Sequence, residues 1–171
     1  MINPGKRFEE NFMKSVPENY YLKRLNDSTG FGKGNANTRF TSRNECDFIV
    51  YANKMLFLLE LKSTEGTSFS FQKDGEDKKP KMIKYSQIIG LYKSTNLIGV
   101  IPGFLFNLRK TDNTYFLHIK DFYRFFLDTE KSSINEKDIV DFGGILVGST
   151  KLKVNYRYDV HSLFNSFVES E

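Results

Sequence analysis

The sequence predicts an α/β fold, with a central mixed β-sheet flanked by helices on both faces. Two observations carry this. Segments with helical and strand character run in the order helix, strands, helix, strands, helices. The strongest strand pair is apolar on both sides: across the runs Asp47–Tyr51 and Met55–Leu61, Ile49 and Leu58 face one way, and Phe48, Val50, Phe57 and Leu59 the other. A sheet apolar on both faces needs cover on both faces, which makes this hairpin central.

The elements follow in order. Asn3-Pro4 reads as an N-cap with proline at the first helical position, and Phe8, Phe12, Met13 and Val16 continue at helical spacing until Pro17. Tyr20–Leu25 is a short strand. The stretch 26–45 is rich in Gly, Asn and Thr and reads as a flexible loop within a single domain spanning 1–171. After the hairpin come a short strand at Thr67–Phe71, a charged loop at Gln72–Lys79, and a helix opened by Pro80 and running to about Ser94. Leu97–Leu108 is strand-like, with a kink or bulge expected at Pro102-Gly103. Tyr115–Ile119 pairs back on it. Asp121–Leu127, Ile134–Asp141 and Val160–Val168 read as helices and Val154–Tyr158 as a late strand.

Composition bounds the function. The chain has 171 residues, 39% of them hydrophobic, with 17 Phe and 9 Tyr, enough to build a core. Its net charge of +4 suits a nucleic-acid partner without singling one out. One cysteine, Cys46, excludes an internal disulfide, and His118 and His161 are too isolated to suggest zinc. No apolar run approaches the ~18 residues of a membrane span. The expectation is a soluble cytoplasmic protein, in a bacterial cell or a phage-infected host.

The hairpin carries the chemistry. With Asn53-Lys54 as a two-residue turn, cross-strand partners have numbers summing to 107, which puts Asp47 opposite Glu60. Side chains so placed stand about 4.5–5.5 Å apart at Cβ, and two carboxylates at that distance call for a cation. Alternation puts Lys62 on the same face as Glu60. Hard carboxylate oxygens suit Mg²⁺ or Mn²⁺, with the Leu61 carbonyl as a further ligand, and a neighbouring lysine suits phosphodiester hydrolysis. The plain alternative is a strand edge with a solvated end. Against it, Glu60 follows five apolar residues, deep in a core strand, where an unpaired charge is costly.

Two further residues point the same way. On the first helix Glu9 lies within roughly 35° of the apolar stripe, facing a metal or snorkelling at the rim, while Glu10 points away. Gln87 shares a helical stripe with Ile83 and Leu91, either as a capped core group or aimed at a site.

Together these features resemble the RecU-type Holliday-junction resolvases of the PD-(D/E)XK nuclease superfamily. The matching stretches are Gly5-Lys-Arg-Phe8-Glu9, Asn19-Tyr20-Tyr21, Asp47-Phe48, Glu60-Leu61-Lys62, Thr67-Ser68-Phe69 and Gln87, in family order over roughly residues 5–125. The resemblance implies a restriction-endonuclease-like core and a homodimer that cuts branched DNA. It implies metal handling by Asp47, Glu60 and Glu9, with Lys62 and Gln87 in support. One departure stands out: the segment that forms a protruding stalk in RecU proteins is short and Gly-rich here, Leu25–Cys46. Its cations Lys33, Arg39 and Arg43 are either phosphate contacts or a solvated basic loop. A restriction-like or repair nuclease, and a non-catalytic DNA-binding factor of the same fold, are the alternatives.

Overall fold

A computed structural model describes residues 3–25, 44–75 and 78–168. The elements are α1 (Pro4–Met13), β1 (Tyr21–Arg24), β2 (Phe48–Ala52), β3 (Met55–Thr64), β4 (Ser68–Ser70), α2 (Tyr85–Lys93), β5 (Val100–Leu108), β6 (Asn113–His118), α3 (Ile119–Asp128), β7 (Ser133–Asn135), α4 (Glu136–Asp141), β8 (Ile145–Leu146), β9 (Ser149–Leu152), β10 (Asn155–Tyr158) and α5 (Val160–Asn165). Six strands form one mixed sheet in the order β1-β2-β3-β5-β6-β8. Among the described residues, β3 and β5 are the only neighbours in it that run parallel. The pairs β4–β7 and β9–β10 stand apart as small antiparallel sheets.

The hairpin lies inside the sheet: β3 is one of its two central strands, and β2 is flanked on its outer side by β1. Phe48 pairs with Leu59 and Val50 with Phe57, the register in which numbers sum to 107. Asn53 and Lys54 both have positive φ, 52° and 64°, which a type I′ turn requires and the right-handed strand twist favours. Phe48, Val50, Phe57 and Leu59 are fully buried under Phe8 and Phe12 of α1 and Phe164 of α5. The opposite face packs Phe104 and Phe106 of β5 against Phe69, Phe71, Leu91 and Phe122, beneath α2 and α3. No helix among the described residues is long and apolar enough to cross a membrane.

Four local expectations are corrected. Helix α1 keeps its Asn3 cap, whose Oδ1 accepts from Gly5 N at 2.9 Å, but ends at Met13 rather than Val16. Pro80 does not open α2, which starts at Tyr85. The reason is Ile83, which is extended: its amide donates to the Ser70 carbonyl and its carbonyl accepts from Gln72 N. Ile134 belongs to β7, and α4 begins at Glu136 behind a cap in which Asn135 and Asp138 bond reciprocally. Pro102 makes no bulge. It pairs in register with Leu58, and the β5–β6 ladder starts one residue later, at Gly103, where no proline N–H is missed.

Gly103 is where β5 and β6 come close. A Cβ there would lie 2.6 Å from the Leu117 carbonyl oxygen and 2.6 Å from Phe116 Cε2. The carbonyl is backbone and cannot step aside. Gly103→Ala is therefore expected to destabilise the fold by about 1–3 kcal/mol, read as a Tm lowered by roughly 2–4 °C per kcal/mol. An unchanged Tm would show that β6 yields at no cost.

Candidate active site

Asp47 sits where β2 begins. Strand pairing reaches Phe48, but the Asp47 amide donates to the Leu59 carbonyl at 3.0 Å, one residue short of the partner that register assigns. The chain bends there. Asp47 is thus not squarely opposite Glu60; its Oδ2 instead accepts from Leu61 N at 2.7 Å. The bend fastens Asp47 to the backbone just past Glu60, between Glu60 and Lys62. Its own carbonyl accepts from Leu25 N, tying the site to the end of β1.

Glu60 is only 2% exposed. Its Oε1 accepts from Lys62 Nζ at 2.7 Å and from Gln87 Nε2 at 2.5 Å. Lys62 lies on the same face, as alternation requires, with its side chain mostly buried. Gln87 is oriented by its helix: its Oε1 accepts from Lys84 N, at the start of α2, at 3.1 Å. The carbonyl end being so engaged, the amide nitrogen is turned to Glu60. Burial pushes the Glu60 carboxyl up to about 7; the Lys62 ammonium opposes that shift, and the Asp47 charge adds to it.

Loss of the Gln87 donor removes a hydrogen bond that favours the ionised form. Gln87→Leu should move the pH of half-maximal activity upward and lower the rate about 10–100-fold, the usual cost of an orienting partner. A pH–rate profile superimposable on wild type would reduce Gln87 to a helix cap.

Asp47, Glu60 and Gln87 line a cleft of about 580 Å³, which Lys78, Lys79, Lys81 and Lys84 also line. Sequence reasoning missed this lysine lining. Its signal was plain, four lysines in the seven residues Lys78–Lys84, but it was divided between a loop and a supposed helix. α2 starts only at Tyr85, and all four lysines, in the segment before it, line the cleft. Cys46 also lines the cleft, buried, with its thiol pushed up to about 12 by burial and then by Glu60, Asp47 and Glu45, so no reactive thiolate forms at neutral pH.

Glu9 turns inward as expected and Glu10 outward. The Glu9 Oε2 accepts from both Nε and Nη2 of Arg24, at 2.9 and 2.7 Å. Among the described residues no three His, Cys, Asp or Glu side chains gather closely enough to hold a metal ion. The site therefore brings together Asp47, Glu60, Lys62 and Gln87, and leaves Glu9 with Arg24. Lys33, Arg39 and Arg43 lie outside the described residues, as does the loop expected at 26–45 except for its last two positions.

No known protein-family profile matches the chain. It is 34% identical over 185 aligned positions to the SPbeta prophage-derived uncharacterized protein YotM of Bacillus subtilis (strain 168), covering 99% of this chain and 89% of that protein. The chain belongs to the family of that prophage protein. Among solved structures it is similar to Hjc of Archaeoglobus fulgidus, a Holliday junction resolvase. The TM-score is 0.50 at 16% identity, over 83% of this chain and 95% of that one. That likeness shows the fold. The mixed six-stranded sheet with helices on both faces is the restriction-endonuclease-like α/β architecture the sequence predicts.

Proposed function

We propose that this protein is a metal-dependent DNA endonuclease of the PD-(D/E)XK type that cuts four-way junctions, as the resemblance to RecU-type resolvases implies. One observation carries the proposal. A carboxylate that is almost wholly buried, Glu60, is held between a lysine and an oriented glutamine, beside Asp47, in a lysine-lined cleft. A buried charge must be paired wherever it occurs; what sets this one apart is that it also lines a cleft. The like fold of a Holliday junction resolvase supports the proposal.

The residues present fit a hard divalent cation. Glu60 and Asp47 act on each other through charge, both end in oxygen, and Lys62 is the cation in contact with Glu60. Mg²⁺ is commonly held by one or two carboxylates with substrate phosphate and water completing its shell, so a two-carboxylate set is sufficient. Asp47, Glu60 and the Leu61 carbonyl would hold it; Glu9, bound to Arg24, stands outside the set. When bound, Mg²⁺ or Mn²⁺ supplies an activated water and polarises the phosphate. Lys62 places its ammonium where charge develops on the phosphate. Gln87 fixes the Glu60 carboxylate, and the lysines that line the cleft draw the DNA backbone into it.

In this proposal the protein works as a homodimer that makes paired cuts in branched DNA. The relative's prophage origin fits the cytoplasm of a phage-carrying or phage-infected bacterium. The short segment before Asp47 is the feature that favours a second reading, cleavage of linear duplex in restriction or repair. A labelled four-way junction and a matched linear duplex, each incubated with the protein in Mg²⁺, separate the two. Paired symmetric nicks in the junction alone are expected; equal cutting of both would reject junction specificity and keep the nuclease.

A further inference from the structure

A second pocket, of about 310 Å³, opens between the first turns of α1, the β5–β6 turn and the β9–β10 hairpin. It lies on the α1 face of the sheet, opposite to the Glu60 side. Its polar lining includes Arg7, Asn11, Arg109 and Lys151. Asn11 is 3% exposed. Arg109 Nε is buried and has no hydrogen-bond partner among the described residues. Such a group is ordinarily satisfied by something. Arg7 forms no ion pair among the described residues. The Arg109 guanidinium pairs there only with Glu65, at 3.5 Å, and that carboxylate is 81% exposed. Asp112 is the one acidic residue of the lining, and it is engaged at the rim by Lys151 Nζ at 3.5 Å and the Tyr156 hydroxyl at 2.7 Å. Among the described residues, the two guanidiniums therefore have no buried counter-charge. Both offer planar forks of donors, the geometry that suits an anion with several oxygens.

The geometry points to a phosphoryl-binding site, in which Arg7 and Arg109 grip the phosphoryl oxygens, the Asn11 amide donates from below and Lys151 closes the rim. On the proposed nuclease reading, the source is a backbone phosphate of the DNA. Asn107, which also lines the pocket, accepts from the hydroxyl of Ser63, the residue after Lys62. The pocket thus lies at the same strand end as the active site but on the other face of the sheet. Free phosphate is the other source of the same chemistry.

The test uses the double variant Arg7→Gln/Arg109→Gln, the single variant Asn11→Leu and, as a charge-loss control, Lys137→Gln, an exposed residue of α4. Binding of a labelled junction is followed against salt in chelator, and inorganic phosphate is titrated separately by ³¹P NMR. The double variant should weaken DNA binding about 5–20-fold and flatten the log K versus log salt slope by about 0.9, the share of one neutralised phosphate. Asn11→Leu should weaken it without changing net charge, and Lys137→Gln should bind as wild type. Phosphate binding abolished in the pocket variants, with DNA binding unchanged, would keep the site and assign it to free phosphate. Pocket-dependent DNA binding by a wild-type protein that cuts nothing would keep the site and reject the nuclease. Wild-type behaviour of all pocket variants toward both ligands would overturn the site.

Discussion

Asp47→Asn is expected to lower metal-dependent DNA cleavage by on the order of 10³ or more, while leaving the fold intact. The asparagine oxygen keeps the acceptor that Leu61 N needs at 2.7 Å, so the bend at the head of β2 survives. What goes is a negative charge beside Glu60. The same change removes like-charge repulsion, so the Glu60 carboxyl should titrate lower in the variant. Cleavage, and the rise in Tm on adding Mn²⁺, are measured together. Loss of both with a metal-free Tm no lower than that of wild type separates ligand from scaffold. Full activity in Asp47→Asn would remove the residue from the metal site.

The second large effect has opposite signs for function and stability. In the folded protein Glu60 keeps its proton up to about pH 7, whereas in the unfolded chain a glutamate releases it near its ordinary value of 4.5. Between those values the folded state binds more protons, so stability falls as pH rises from about 4.5 to about 7 and loses nothing further above that. Glu60→Gln removes the buried charge and keeps an oxygen to accept from Gln87. The metal-free variant should therefore be more stable than wild type at pH 8, by roughly 1–3 kcal/mol, and about equal to it at pH 4. It should also lose cleavage and metal-induced stabilisation. Thermal denaturation in chelator at the two pH values decides this. A Glu60→Gln protein less stable than wild type at pH 8 would mean that the Lys62 pair outweighs the cost of burial.

Much of this was legible in the sequence because the hairpin obeys a strict period. Once Asn53-Lys54 is read as the turn, register follows by arithmetic, and with it the burial of Phe48, Val50, Phe57 and Leu59 and the shared face of Glu60 and Lys62. Asn3-Pro4 marked the start of α1 for the same local reason. What failed was non-local. Pro80 is a good first helical residue, but Ile83 is claimed by β4 and Phe71, and that pairing moved the start of α2 to Tyr85. The same displacement hid the lysine lining. The bend at Asp47 was unreadable because period-2 reasoning extends a register until something breaks it, and nothing in Cys46-Asp47-Phe48 announces the break. Glu9 was aimed correctly by helical angle, but its partner Arg24 is set by the pairing of β1 with β2, which no spacing within α1 encodes. The β9 strand, exposed along its length, has no apolar pattern to find.

The most direct measurement is hydrolysis of a labelled four-way junction by the wild-type protein in Mg²⁺, in Mn²⁺ and in chelator, with Lys62→Met alongside. Phosphodiester cleavage that requires either metal, and falls about 10²–10³-fold in the lysine variant, is the result that the buried Glu60–Lys62 pair beside Asp47 predicts. A junction bound by the protein but left uncut in both metals would contradict the nuclease and leave the acidic hairpin as scaffold for a DNA-binding factor.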